Sequence, residues 1–174
     1  MPTQTLFSLF SQSKRLFLLS SLTLFLSLAG CSSDTQQSMP NFKLSEISGK
    51  VLTQDDFKNK VTIINFWATS CTSCVKEMPQ LIETYEKFKA DGVELMAVAM
   101  SYDPPMYVVN FAQTRKLPFK VALDSDGSVA KAFGKIQLTP TTLVINKKGK
   151  IIKRYVGEPE WDAFHQLIQK SLAE

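Results

Sequence analysis

Residues 61–78 read VTIINFWATSCTSCVKEM, and this stretch predicts both the fold and the chemistry of the chain. Its first part, residues 61–66, is an apolar and β-branched run, which is typical of a strand buried on both faces. Residues 75–89 carry apolar side chains at helical spacing. Cys71 and Cys74 therefore lie where a buried strand passes into a helix N-terminus. In that position a Cys-x-x-Cys motif indicates a redox dithiol rather than half of a metal site.

The two thiols are expected to have different tasks. Cys71 would lie at the helix N-terminus, where unpaired backbone N–H groups and the helix dipole favour an anion. The pKa of its thiol should fall, and the thiolate is the nucleophile. Cys74 follows about one helical turn later, close enough to attack a mixed disulfide on Cys71. The alternative is a purely structural disulfide, which would be a weak staple because so short a loop constrains little chain entropy.

Residues 66–79, FWATSCTSCVKEMP, resemble the active-site segment of the thioredoxin superfamily. More narrowly, they resemble the TlpA/ResA-like branch of membrane-tethered, extracytoplasmic thiol-disulfide oxidoreductases. The resemblance extends over residues 41–174 and implies a thioredoxin-like α/β domain. In that fold a central mixed β-sheet is flanked by helices, with an N-terminal β-hairpin and a central βα insertion. The chain departs from the family pattern at Ser70, at residues 72–73, and at Asn65, where cytosolic thioredoxins carry a buried Asp.

The resemblance also implies further site residues. Glu77 matches a glutamate near the dithiol of ResA-like proteins and is the candidate acid/base group. Pro140 matches the cis-proline that faces the dithiol in thioredoxin-like folds. The backbone of Thr139 would then bind substrate as an added strand. Trp67, Thr139 and Pro140 are accordingly expected to form the substrate-binding surface.

The first thirty residues are expected to be a lipoprotein signal peptide. The apolar run 16–29 follows two basic residues and is too short for a comfortable membrane span, but it suits a signal peptide. It ends in LAGC at residues 28–31, which resembles a bacterial lipobox with Cys31 as the lipidated residue. Residues 31–40 are expected to be a lipidated polar linker. A plain secretory signal and an uncleaved anchor are the alternatives.

The composition limits the classes of function. Loss of residues 1–30 would remove two basic residues, leaving 18 basic and 16 acidic residues and a net charge of +2. This balance is not typical of a nucleic-acid-binding protein. Two of the three cysteines form the dithiol, and lipidation would account for the third, Cys31. Export would place the dithiol where disulfides form and persist, and no cofactor is expected.

The rest of the chain alternates strand and helix patterns. A hairpin is expected over residues 42–53, with a short helical turn after it. Further strands are expected at residues 93–100, 119–123, 138–146 and 151–156, and further helices at 106–116, at 128–133 and from 161 onward.

Two other functions use the same fold or the same cysteines. Peroxiredoxin-like chemistry typically needs Pro-x-x-x-Thr/Ser-x-x-Cys, but the two leading positions hold Ile64 and Ala68. A copper-binding or copper-delivery module would use Cys71 and Cys74 as soft ligands and needs further ligands nearby. His165, the only histidine, lies in the last helix and is expected to be at the surface or half-buried rather than catalytic.

The resemblance implies the partners and the direction of electron flow. ResA-like proteins are re-reduced by DsbD- or CcdA-type membrane proteins, and many serve cytochrome c maturation. The substrates would be disulfide-containing proteins, and we expect a monomer anchored to a bacterial membrane on its periplasmic or extracytoplasmic side. Two features favour a reductase: no histidine lies between the cysteines, and a carboxylate at Glu77 should raise the pKa of nearby thiols.

Overall fold

The structure is a computed structural model that describes residues 37–174. The signal peptide expected over 1–30 and the lipidation site Cys31 lie outside the described residues. The strands are β1 (Lys43–Glu46), β2 (Val51–Thr53), β3 (Val61–Trp67), β4 (Val93–Ala99), β5 (Lys120–Leu123), β6 (Thr141–Ile145) and β7 (Ile151–Val156). The helices are α1 (Thr72–Phe88), α2 (Pro105–Arg115), α3 (Ser128–Ala132) and α4 (Trp161–Leu172), with 3-10 turns at Gln54–Phe57 and Lys89–Asp91.

The strands form one mixed sheet in the order β2-β1-β5-β4-β3-β6-β7. Strand β3 is parallel to β4 and antiparallel to β6, and β4 is parallel to β5. Strands β1 and β2 form the expected N-terminal hairpin. Because parallel strands end at the same edge of a sheet, the segments after β3 and β4 meet there, together with the segment before β6. This edge carries the dithiol, and we call it the dithiol edge.

Strand β3 is buried along its whole length because helices and loops cover both faces of the sheet. Successive side chains point to opposite faces. On one face Ile63 and Trp67 pack with Met78 and Leu81 of α1 and with Phe164 of α4. On the other face Ile64 and Phe66 pack in a second core that includes Phe133. The prediction of a doubly buried strand is confirmed, and β3 is therefore a rigid base for the loop that follows it.

Some element boundaries differ from those predicted. Helix α1 begins at Thr72 with Cys71 at the N-cap, so the expected position of Cys71 at the helix N-terminus is confirmed. Strand β6 begins at Thr141 rather than Leu138, because Pro140 has no backbone N–H to donate to a neighbouring strand. Within residues 37–174, no helix combines the length and apolar character needed to cross a bilayer.

Candidate active site

The dithiol lies at the junction between β3 and α1. Cys71 is the N-cap residue of α1, with extended backbone angles (φ −88°, ψ 104°). A disulfide joins Cys71 to Cys74, and the two Cα atoms are 5.2 Å apart. The backbone N–H of Cys74 donates a hydrogen bond to Cys71 Sγ at 3.2 Å. The first turn of the helix thus aims a backbone donor at the sulfur that the sequence predicted as the nucleophile.

The two sulfur-bearing side chains differ in their access to solvent. Cys74 is fully buried, whereas Cys71 is only half-buried at the edge of the same core. The Ser73 hydroxyl lies 3.5 Å from Cys71 Sγ. After reduction, the backbone donor and the helix dipole would stabilise negative charge on Cys71. Cys71 is therefore the more accessible residue of the pair.

Glu77 lies one helical turn after Cys74 and is fully buried. The Asn65 side chain donates hydrogen bonds from Nδ2 to Glu77 Oε1 at 2.8 Å and to Thr142 Oγ1 at 3.0 Å. Three elements, β3, α1 and β6, are therefore connected beneath the dithiol by one polar group. Glu77 Oε2 and Asn65 Oδ1 have no hydrogen-bond partner among the described residues.

The surroundings of Glu77 favour its neutral form. Burial raises the pKa of the carboxyl group, the hydrogen bond from Asn65 partly offsets this rise, and the charge of Glu158 adds to it. The resulting pKa is about 7, against an ordinary value of 4.5. A carboxyl group with this pKa accepts and releases protons at neutral pH. Sequence reasoning proposed Glu77 as the acid/base group, and its burial and pKa are compatible with that role.

The peptide bond between Thr139 and Pro140 is cis, as the resemblance implied. Because Phe66 pairs with Thr141 between β3 and β6, the Thr139–Pro140 segment lies at the dithiol edge, level with the end of β3. The carbonyl of Pro140 accepts a hydrogen bond from Gly157 N–H at 2.8 Å. Within residues 37–174, the backbone of Thr139 takes part in no hydrogen bond, so this edge is open to an added strand.

Two residues that sequence reasoning missed hold the loops around the dithiol. The buried carboxylate of Asp103 accepts hydrogen bonds from Thr69 N–H at 2.6 Å and from Thr69 Oγ1 at 2.5 Å. The Tyr102 hydroxyl lies 3.3 Å from Thr139 Oγ1. The segment after β4 therefore connects both the loop before Cys71 and the loop before β6. The only sequence signal for this role is the position of Asp103 after a strand parallel to β3.

Trp67 supports the site rather than lining its surface. Its indole is fully buried and packs against Phe111 of α2, with the ring centroids 5.0 Å apart. In this disulfide form the indole offers no exposed area to a substrate. Trp67 was expected to be part of the substrate-binding surface, and we now assign it a position beneath that surface.

His165 lies away from the dithiol, and it offers no further ligand to a metal ion there. His165 is half-buried, and its Nε2 lies 2.9 Å from Thr84 Oγ1 near the C-terminal end of α1, away from the dithiol at the N-terminus of that helix. The surface or half-buried position predicted for His165 is confirmed. Within residues 37–174, no three His, Cys, Asp or Glu side chains come together as a group of potential metal ligands.

Comparison with known proteins gives consistent matches. The Redoxin family matches residues 34–168. The thiol-disulfide oxidoreductase ResA of Bacillus thuringiensis subsp. konkukian (strain 97-27) is 38% identical over 131 residues, which is 75% of this chain and 75% of that protein. ResA of Bacillus subtilis (strain 168) is 36% identical over 129 residues, covering 74% of this chain and 71% of its own length.

Solved structures agree with these matches. A candidate thioredoxin from Neisseria meningitidis superposes with a TM-score of 0.74 at 40% identity, covering 78% of this chain and 90% of its own. StoA from Bacillus subtilis gives a TM-score of 0.64 at 29% identity, covering 78% of this chain and 98% of its own. The thioredoxin-like fold expected from the resemblance is confirmed.

The buried carboxyl group of Glu77 gives a pH-dependent stability. Its folded pKa of about 7 lies above the ordinary 4.5, so the folded state binds more protons between these values. Stability therefore falls as the pH rises from about 4.5 through 7. At pH 8 the oxidised Glu77→Gln variant should be more stable than wild type by up to about 3 kcal/mol, and at pH 4 the difference should disappear. Urea unfolding at both pH values measures this.

Glu83→Gln on the same helix is the control for this measurement, because Glu83 is exposed. It should change the stability little at either pH. If Glu77→Gln raised the free energy of unfolding by the same amount at pH 4 and at pH 8, the result would contradict a raised pKa of Glu77.

Proposed function

The chain belongs to the Redoxin family and is a thiol-disulfide oxidoreductase of the ResA type, and from this premise we propose that it reduces disulfides of exported proteins. The observation that carries the proposed direction is the pairing of a half-buried Cys71 at the N-terminus of α1 with a buried carboxyl group one turn beyond Cys74. A neutral or negative carboxyl group beneath the dithiol does not stabilise a thiolate as a positive charge would. A less stabilised thiolate corresponds to a more reducing dithiol.

The reaction begins from the reduced dithiol. The Cys71 thiolate attacks one sulfur of the substrate disulfide, forms a mixed disulfide, and displaces the second substrate sulfur, which leaves as a thiolate and takes up a proton. Cys74 then loses its proton and attacks Cys71 Sγ, which releases the first substrate sulfur as a second thiol. Two electrons pass to the substrate, and the Cys71–Cys74 disulfide seen in the structure is the product state of the enzyme.

Glu77 is the proposed base for the second step. Cys74 is fully buried, so its thiol has little access to water and needs an internal proton acceptor. Glu77 lies one turn away on the same helix, and its pKa of about 7 allows it to take up this proton at neutral pH. Asn65, hydrogen-bonded to Glu77 Oε1 and to Thr142, is the positioning residue that fixes the carboxyl group.

The substrate is proposed to bind as an extended segment beside the cis-proline. The open backbone of Thr139 would pair with the substrate main chain next to its disulfide. This mode selects a polypeptide disulfide over a small one, since the main-chain hydrogen bonds require a peptide backbone.

We also propose that the protein is exported and lipid-anchored through Cys31, facing the periplasm or the extracytoplasmic space. The sequence LAGC at residues 28–31 and the apolar run before it support this. The enzyme would act as a monomer. Its disulfide would be re-reduced by a membrane donor of the DsbD or CcdA type, and cytochrome c maturation is the proposed process that it serves.

Trapping of the mixed disulfide tests the reaction. With Cys74→Ser, reduced protein and oxidised insulin as probe should accumulate a covalent one-to-one adduct, because attack occurs but resolution does not. Cys71→Ser is the matched control and should form at least tenfold less adduct, because Cys74 is buried. Non-reducing electrophoresis with mass spectrometry measures both. Equal adduct formation by the two variants would contradict the assigned roles.

Labelling with a fatty acid tests the anchor. In a bacterial host supplied with radioactive palmitate, the wild-type chain should carry label and sediment with membranes. Cys31→Ser should lose the label and leave the membrane fraction, because the substitution removes the thiol that would be acylated. Cys71→Ser is the control and should retain both. Label that persists in Cys31→Ser would contradict lipidation at this residue.

A further inference from the structure

A surface groove of about 440 Å³ lies beside the dithiol loop, and the proposed function assigns it no role. It is lined by Thr69 and by five residues of α2: Tyr107, Asn110, Phe111, Thr114 and Arg115. The α2 residues follow the spacing i, i+3, i+4, i+7, i+8, so they form one stripe along the helix. Thr69 lies two residues before Cys71 and is held by Asp103. The groove therefore begins at the dithiol loop and runs along α2.

The part of the groove near the dithiol is aromatic and exposed. Tyr107 is 62% exposed and the adjacent Met106 is 64% exposed. Phe111 packs on Trp67, the last residue of β3, so the aromatic lining is fixed to the strand that leads into the dithiol loop. Large apolar side chains at this exposure, gathered beside a reactive sulfur, are typical of a contact surface for a protein partner.

Arg115, at the far end of the groove, is the only charged side chain among the described residues that line it. The guanidinium carbon lies 5.7 Å from the centre of the Phe111 ring. No carboxylate of residues 37–174 forms an ion pair with Arg115, although six ion pairs occur elsewhere in that range. A guanidinium that rests on an aromatic ring keeps its N–H fork available for a carboxylate.

The length of the groove determines the distance between its aromatic end at Tyr107 and its charged end at Arg115. Tyr107 and Arg115 are eight residues apart on α2, about 12 Å along the helix axis. An extended polypeptide spans this distance in about four residues. A chain that leaves the dithiol along the groove would therefore place an apolar side chain over Tyr107 and Phe111, and a carboxylate near Arg115 roughly four or five residues from its cysteine.

We propose that this groove binds the segment of an oxidised substrate polypeptide that adjoins the attacked cysteine, and that Arg115 selects an acidic side chain in that segment. This inference rests on the proposed function. It adds a contact that depends on substrate sequence to the main-chain contact at Thr139. Arg115 acts on substrate affinity and leaves the sulfur chemistry of Cys71 and Cys74 unchanged.

Peptide disulfides differing at one position test the proposal. The full-length protein is reduced, kept in detergent micelles and mixed with synthetic peptides that carry one intramolecular disulfide and a Phe two residues after the second cysteine. The fifth position after that cysteine is Glu, Gln or Lys, and a second set places the same residues before the first cysteine. The second-order rate constant of peptide reduction is measured by quenching and chromatography. In one of the two sets, wild type should reduce the Glu peptide at least fivefold faster than the Gln peptide.

Charge variants identify the residue responsible. Arg115→Gln should reduce the preference for Glu to less than twofold, and Arg115→Glu should reverse it in favour of the Lys peptide. Lys116→Gln, which removes the adjacent positive charge outside the groove, is the matched control and should keep the wild-type preference. A preference that is absent in wild type, that survives in Arg115→Gln, or that disappears equally in Lys116→Gln would overturn the proposal.

Reduction of a small disulfide distinguishes a failure of the groove proposal from a failure of the proposed function. All these variants should reduce hydroxyethyl disulfide at the wild-type rate, because it does not reach along the groove. If they do so without any peptide preference, the groove proposal fails and the oxidoreductase assignment stands. If wild type reduces neither the small disulfide nor any peptide, the proposed reductase function fails.

Discussion

The geometry of the site depends on one junction, where a strand buried on both faces passes into a helix whose N-cap is a cysteine. Strand β3 cannot move because both of its faces are packed, so the loop after Trp67 starts from a fixed point. Asp103 then fixes Thr69 in that loop. The first helical turn aims the N–H of Cys74 at Cys71 Sγ. The two sulfur atoms and the helix N-terminus are thus positioned by packing rather than by a flexible loop.

A second constraint is the buried polar group beneath the dithiol. A buried carboxyl group without a full set of hydrogen bonds is unfavourable as an anion, and this raises the pKa of Glu77 to about 7. Asn65 connects that group to β3 and, through Thr142, to β6. An aspartate at position 65 would place a second carboxylate against Glu77. The asparagine avoids that repulsion and donates a hydrogen bond to Glu77 Oε1 instead.

Most strands and helices were predictable from sequence, because a buried strand is a local run of apolar residues and a helix places its apolar residues at a regular local spacing. The strand at residues 61–66 and the helix after Cys74 follow from such patterns, and the cis peptide at Pro140 followed from family resemblance. The contacts of Asn65 with Thr142 and of Asp103 with Thr69 were not predicted. The first contact joins residues that are 77 positions apart in the sequence, and the second joins residues that are 34 positions apart. The periodicity of a sequence indicates which side chains are buried, but it does not indicate which side chains form hydrogen bonds with each other.

The reduction potential of the Cys71–Cys74 pair tests the central claim, that this dithiol is built to reduce. It would be measured by equilibrating the protein in dithiothreitol redox buffers at pH 7 and determining the fraction of disulfide. A value of roughly −270 mV, near that of thioredoxin, is the result expected for a reductase supplied by a membrane donor. A value of about −120 mV, typical of a strong disulfide oxidant, would contradict the reductase assignment.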